Sequence, residues 1–222
     1  MGNQKEIFAT AEGDQWFLRN QASYQKNKNE NGLIIQSLQE LEITPKKVLE
    51  IGCSNGTRLN NFNKVFGAEC YGIDPSSKAI ENGSKEYSSI NLKVATADAL
   101  PFEDNSFDLI IFGFCLTWCD RKLLFKIALE ADRCLSDNGY LIINDFYPPF
   151  AYKNVYTHTE GVFSYKMDHS QMFSWNPVYS EIFNKVFTHA GFENRNVPDE
   201  KVAITILNKN ESYAYPLAPY KK

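Results

Sequence analysis

The fold class predicted from the sequence is α/β, a mostly parallel sheet with helices on both faces, and three observations predict it. Apolar runs of strand length recur at 48–51, 71–73 and 107–112; helix-prone segments separate them; and the first two runs end on a glycine loop and on a carboxylate rather than on hairpin turns. Strands alternating with helices close into a parallel sheet through right-handed crossovers. At 222 residues the chain has room for one domain and a modest insertion. The expected organisation is a domain over 1–208, with a helical cap at 1–44 and an insert at 146–176, followed by a tail at 209–222.

Each element follows in order. Residues 1–44 are polar and helix-prone, with Trp16, Phe17, Leu33, Ile34, Leu38 and Leu41 spaced near three and four, so they form cap helices ahead of the first strand. That strand, 47–52, breaks at Gly52 and re-enters a helix near Thr57. A second strand spans 70–74, followed by a helix from about 76, a short strand near 91–95 and a fourth strand at 107–112. A helix at 120–135 leads to a fifth strand at 139–145. Beyond Asp145 the period is lost over a stretch too aromatic for disorder and long enough to be functional, which makes it the expected substrate-binding insert. Pro177 opens a predicted helix running to about His189, with Gly191 as its C-terminal cap, and 202–208 reads as the last strand.

Glu50-Ile-Gly-Cys-Ser-Asn-Gly56 carries the chemical information. A dinucleotide loop needs glycine at three positions so that backbone can close on a pyrophosphate; counted from Gly52 these are 52, 54 and 57, and the latter two are Ser54 and Thr57. Glu50 would repel a diphosphate and suits a cation. The second strand ends on Asp74, about 20 residues further on, where folds of this type hold a ribose. S-adenosylmethionine combines an ammonium, a sulfonium and a ribose diol with no phosphate. The chain therefore resembles the class I S-adenosylmethionine-dependent methyltransferases over residues 45–208.

The resemblance implies a Rossmann-like sheet of seven strands and S-adenosylmethionine as cofactor. Glu50, Gly52 and Gly56, with Cys53, Ser54 and Asn55 between them, match the first motif. Asp74, followed by Pro75, matches the acid that takes both ribose hydroxyls, and Asp98, followed by Ala99, the acceptor of the adenine amino group. Phe114, just past the fourth strand, joins them. The whole chain is also similar to small bacterial methyltransferases of surface-polysaccharide (capsule) biosynthesis, which implies O-methylation of a sugar, nucleotide sugar or phosphate- or phosphoramidate-type glycan precursor; a cytoplasmic location is expected separately, from the unpaired cysteines. N-methylation of a small metabolite is the alternative. A catalytically silent cofactor-binding protein is another reading, and a nicotinamide-dependent oxidoreductase is disfavoured because the only Tyr-x-x-x-Lys spacing, Tyr24 and Lys28, precedes the first strand.

Composition narrows the partners. A net charge of −4 with no basic stripe argues against nucleic acid. Five cysteines without Cys-x-x-Cys or a zinc-like His spacing predict buried thiols and no metal. No signal-like start and no run near the ~20 apolar residues of a membrane span are present. A small-molecule acceptor and a monomer or homodimer are expected.

Candidate catalytic groups are few. A hydroxyl acceptor needs a base, and of three histidines two, His158 and His169, fall in the insert; Asp145, at the tip of the fifth strand, is a third candidate. His189, in the last turn of a predicted helix, reads as structural. Arg19 beside Trp16 could clamp the cofactor carboxylate, because guanidinium binds carboxylate bidentately. Tyr147, Lys153, Tyr165 and Lys166 could read an anionic or sugar substrate.

Overall fold

The computed structural model describes residues 4–26, 32–188 and 197–217. A helical N-terminus comprises α1 (Gln4–Ile7), a π-helical turn (Phe8–Glu12), α2 (Gly13–Lys26) and α3 (Leu33–Glu40). Then come β1 (Lys47–Ile51), α4 (Thr57–Phe66), β2 (Glu69–Asp74), α5 (Ser77–Glu86), β3 (Ile90–Val94), β4 (Phe107–Gly113), α6 (Leu124–Cys134) and β5 (Leu135–Phe146). A hairpin, β6 (Tyr152–Val155) and β7 (Phe163–Lys166), and a short α7 (Gln171–Ser174) lead to β8 (Tyr179–Thr188), β9 (Lys201–Lys209) and α8 (Glu211–Ala214).

Seven strands make one sheet in the order β3-β2-β1-β4-β5-β9-β8. The first five are mutually parallel, and β9 runs antiparallel to both β5 and β8. This is the Rossmann-like, mostly parallel α/β sheet expected. The central strands are buried on both faces, so their middles are mainly apolar: on β1, Val48 packs on one side with Leu59 and Phe62 of α4, and Leu49 and Ile51 on the other with Ile127 and Ala131 of α6. Strand order reverses at β1, whose neighbours are β2 and β4, and open sheets of this kind bind ligands beyond the carboxyl ends of the strands at that point.

One element differs from expectation. The helix predicted from Pro177 is strand β8. Tyr179, Ile182, Phe183, Val186 and Phe187 fall at i, i+3, i+4, i+7 and i+8, a helical signature, yet the segment pairs with β9 along its length. A bulge between Glu181 and Phe183 accounts for the pattern, because the extra residue changes which face the following side chains present. Tyr179 thus joins the core on one side of the sheet and Phe183 and Phe187 that on the other. His189 and Gly191 lie outside the described residues.

Candidate functional site

The loop after β1 is built on backbone that only particular residues tolerate. Gly52 and Gly56 both have φ +76°, and a Cβ at Gly52 would lie 2.4 Å from the Cβ of Cys115. Ser54 and Phe114 also adopt left-handed backbone, at φ 50° and 57°, strain of the kind that clusters at functional sites. The N–H groups of Gly52 and Cys53 donate to the Ile73 carbonyl at 2.9 and 3.0 Å, which draws the loop over the end of β2.

Asp74 closes β2 inside that loop. Its carboxylate accepts from the backbone N–H of Ser54 at 2.9 Å and of Ser76 at 2.8 Å. Burial pushes its pKa up to about 6 in spite of those bonds. Glu50 is deeper, 3 % exposed: Oε1 accepts from Nη1 of Arg58 at 2.5 Å, while Oε2 has no hydrogen-bond partner among the described residues. Burial raises it to about 7, with Arg58 opposing and Asp74 reinforcing the rise.

A cavity of about 510 Å³ lies over these groups. Gly52, Ser54, Asp74 and Pro75 form one wall, and Ala97, Asp98, Leu123 and Ile127 another. Trp16, Phe8, Trp118, Phe114 and Phe146 bring aromatic surface. Asp98, 4 % exposed, takes an ion pair from Lys5 at 2.8 Å; burial alone would raise its pKa, but the bonds from Lys5 and Thr96 hold it below the usual carboxylate value.

The cap and the insert are fastened together over this cavity. Gln4 donates to the carbonyls of Trp118 and Phe163 at 2.7 and 2.9 Å and accepts from the Phe163 N–H at 3.2 Å. Glu12 accepts from Tyr156 and Thr159, both at 2.7 Å, and from the Arg19 guanidinium. Asp14 accepts from the Ser76 hydroxyl at 2.7 Å and the Lys78 N–H at 3.0 Å, which pins α2 to the start of α5.

The residues singled out in the sequence separate into two sets. Gly52, Ser54, Asp74, Pro75, Asp98, Phe114 and Trp16 meet at the cavity, while Glu50 and Cys53 lie behind the loop. Asn55 turns away to bond Asn82 and Thr57, and Gly56 faces Ile90 and Leu92. Ala99 is exposed beyond the wall. Arg19 is engaged with Glu12 and Tyr156 and does not line the cavity.

None of the three candidate bases lines it either. His158 is exposed, its ring against Tyr156. His169 is 1 % exposed: Nε2 lies 3.2 Å from Nη1 of Arg121, which can only donate, so Nδ1 carries the proton, 3.9 Å from Oδ2 of Asp145 and with no hydrogen bond among the described residues. Burial, and then Arg121, hold its pKa down to about 3, so the ring is neutral. Asp145 accepts from the Thr117 and Phe146 N–H groups at 3.1 and 2.8 Å and is raised to about 7, burial being the main cause. Lys166 is buried, pairs with Asp199 at 2.8 Å and covers the Phe146 ring. Lys153 is exposed over Phe163, Tyr165 lies under Arg121, and Tyr147 hangs its N–H on the Lys201 carbonyl.

The sequence reading passed over Lys5, Phe8, Arg58, Cys115, Trp118 and Phe146, all of which line the cavity. Arg58 had a signal, two residues into the helix that follows the loop, where a long side chain can fold back. Lys5 and Phe8 had none, because they arrive from a remote part of the chain.

Residues 49–143 match the family described as "Methyltransferase domain". Over that segment, less than half of its length, the chain is similar to a methyltransferase domain. The residues present fit S-adenosylmethionine, the cofactor this similarity implies: Asp74 puts a carboxylate in the cavity where a diphosphate would be repelled, and the glycine cradle would be filled by a Cβ. Among curated proteins, the chain is similar to the demethylmenaquinone methyltransferase of Thermotoga maritima, 32 % identical over 66 % of this chain and 60 % of that protein. It is also similar to that of Staphylococcus aureus strain MRSA252, 40 % identical over 43 % and 41 %. An uncharacterized Haemophilus influenzae protein is 36 % identical over 45 % of this chain and 42 % of its own length. The matched part of the chain thus spans about half the length of these relatives. Among solved structures, a methyltransferase from Methanosarcina mazei superposes with a TM-score of 0.64 at 19 % identity, over 82 % of this chain and 99 % of that one. One from Mesorhizobium loti gives 0.61 at 14 %, over 81 % and 99 %. Both share the fold. No helix among the described residues is long and apolar enough to cross a membrane.

Proposed function

We propose that this protein transfers a methyl group from S-adenosylmethionine to a small-molecule acceptor. The observation that carries the reading is the junction of the glycine loop with Asp74: a buried carboxylate, pinned by two backbone N–H groups, faces the cavity at the switch point of the sheet. Each of its oxygens retains acceptor capacity for one hydroxyl of a vicinal diol. Glu50, Gly52 and Ser54 border the methionyl side, and Asp98, positioned by Lys5, the adenine side.

Once bound, S-adenosylmethionine supplies an already activated methyl group. The work left to the chain is alignment, for which effective molarities correspond to about 7–11 kcal/mol in favourable models, and exclusion of water. Trp16, Trp118 and Phe146 line the cavity with apolar surface that serves the second task. His158, His169 and Asp145 lie off the cavity wall, so an acceptor that brings its own ionised or electron-rich atom suits the site better than a sugar hydroxyl that must be deprotonated.

Two acceptor classes follow. O-methylation of a sugar- or phosphate-type glycan precursor would use the polar rim of the insert, where Lys153 and His158 are exposed. A conjugated ring is favoured by the aromatic lining from Phe8, Trp118, Phe114 and Phe146, and some of the similar proteins carry the name demethylmenaquinone methyltransferase. Incubation with labelled donor and a panel of quinols, phenols, nucleotide sugars and phosphorylated sugars tests both. Transfer to a ring supports the second, transfer to a sugar the first, and transfer to neither class, with no donor binding by calorimetry, defeats the proposal.

A further inference from the structure

The five cysteines fall into two groups. Cys53, Cys70 and Cys134 are buried, whereas Cys115 and Cys119 are half-buried and both line the cavity. These two belong to the turn that follows β4. The Trp118 N–H bonds the Cys115 carbonyl at 3.0 Å and the Cys119 N–H that of Leu116 at 3.2 Å, so the chain coils once between them. The coil brings the thiols together. Sγ of Cys119 donates to the Cys115 carbonyl at 3.4 Å, and the Cys115 thiol in turn hydrogen-bonds the Cys119 sulfur.

The turn touches every wall of the cavity. Cys115 rests on the glycine loop, its Sγ 3.1 Å from where a Cβ on Gly52 would lie. Trp118, between the two cysteines, meets Phe8 of the cap and Tyr156 of the insert, with ring centroids 5.9 and 5.0 Å apart. Arg121 bonds the Cys119 carbonyl through Nε at 3.1 Å and Nη2 at 2.8 Å. A cation thus lies beside Cys119, the environment of an attacking sulfur. Cys115 holds its proton more tightly: the hydrogen bond to Cys119, and then burial, push its pKa well above the usual thiol value.

We propose that Cys115 and Cys119 form a site of reversible oxidation that takes small-molecule disulfides such as oxidised glutathione, and that the resulting cross-link weakens donor binding. The Cys119 sulfur attacks the small disulfide and expels one thiol; Cys115 then attacks the mixed disulfide at Cys119 and expels the second. Two electrons pass to the small disulfide, and the two cysteine protons end on the thiols released. A sulfur–sulfur bond is about 2.05 Å long, far shorter than a contact between thiols, so forming it tightens the coil. Cys115 is drawn off Gly52, and Trp118 turns with the backbone that carries it. The effect on the donor rests on the function proposed above; the oxidation itself does not.

Graded mixtures of oxidised and reduced glutathione, followed by alkylation and peptide mapping, test the site. The expected product is a Cys115–Cys119 link, reversed by dithiothreitol, with Cys53, Cys70 and Cys134 still alkylatable after denaturation. Calorimetry should then find S-adenosylhomocysteine bound about tenfold more weakly by the linked form, the equivalent of one charge-assisted hydrogen bond. By reciprocity, saturating S-adenosylhomocysteine should raise the glutathione ratio at half-oxidation, oxidised over the square of reduced, by the same factor. Cys115→Ser and Cys119→Ser should each abolish the link and the effect of oxidation on binding. Thiols that stay free in every mixture, or that form glutathione adducts alone, overturn the inference, as does equal affinity in the linked and reduced forms. A reduced chain that binds no S-adenosylhomocysteine, while the link still forms, defeats the methyltransferase reading instead.

Discussion

Lowering the pH from 7.5 to 5 should weaken S-adenosylhomocysteine binding by about three orders of magnitude. Two buried carboxylates set that figure. Asp74 titrates near 6 and Glu50 near 7, both raised chiefly by burial, and the proposed ligand needs each of them ionised, the first for the ribose diol and the second for an ammonium. A group whose protonated form does not bind reduces affinity by a factor of about 1 + 10^(pKa − pH), roughly 11 for Asp74 and roughly 100 for Glu50 at pH 5. The sign is fixed by the direction of the shifts. Because both values are raised in the ligand-free fold, the ligand must expel protons, and affinity falls as pH drops through 7 and then 6. Near pH 6.5 the two groups together should release about one proton per ligand. Titration calorimetry in two buffers of different ionisation enthalpy measures this directly, and Glu50→Gln should remove the larger part while leaving the step near pH 6. Affinity that stays flat from pH 5 to 7.5, with no buffer dependence of the enthalpy, would refute the assignment of these acids to the ligand.

Other expectations are simpler to test. Asp74→Ala should weaken S-adenosylhomocysteine binding by at least about tenfold, because hydrogen bonds to a charged acceptor contribute about 1.5–3 kcal/mol each; unaltered affinity by calorimetry would count against the ribose role. Gly52→Ala forces an L side chain to φ +76° and onto Cys115, so it should cost about 1–3 kcal/mol, and a melting temperature within a degree of wild type would contradict that. His158→Ala should leave turnover within about twofold, since the ring is exposed; a hundredfold loss, of the size that general-base catalysis supplies, would restore it as the base. Asp145 is raised from 3.8 to about 7, so its contribution to stability is largest below about pH 4 and is lost as pH rises through 7; Asp145→Asn should flatten the melting temperature over that window.

The central sheet and the glycine loop were legible because they depend on local rules. A strand buried on both faces has to be apolar throughout, as at 109–112, and a loop that turns back over β2 has to hold glycine where φ is +76°. An acid at the end of β2 and another after β3 follow from where a parallel sheet gathers its strand ends. These constraints act within a few residues of each position, so they are written in the order of the residues. β8 was misread for the same reason: Tyr179, Ile182, Phe183, Val186 and Phe187 satisfy a helical period locally, and only pairing with β9, together with a bulge, makes the segment a strand.

By itself, then, the order of residues determined the central parallel strands, the glycine loop and the placing of Glu50, Asp74 and Asp98 at the strand ends. What only the tertiary structure decided is what surrounds them. Lys5 meets Asp98 from 93 positions away, Glu12 holds Tyr156 and Thr159 from 144 and 147, and His169 is sealed behind Arg121 instead of facing the cavity. The physical reason is that these contacts arise where cap and insert are packed against each other and onto the sheet. No local spacing encodes them, because the free energy that sets them belongs to surfaces that come together only in the folded chain.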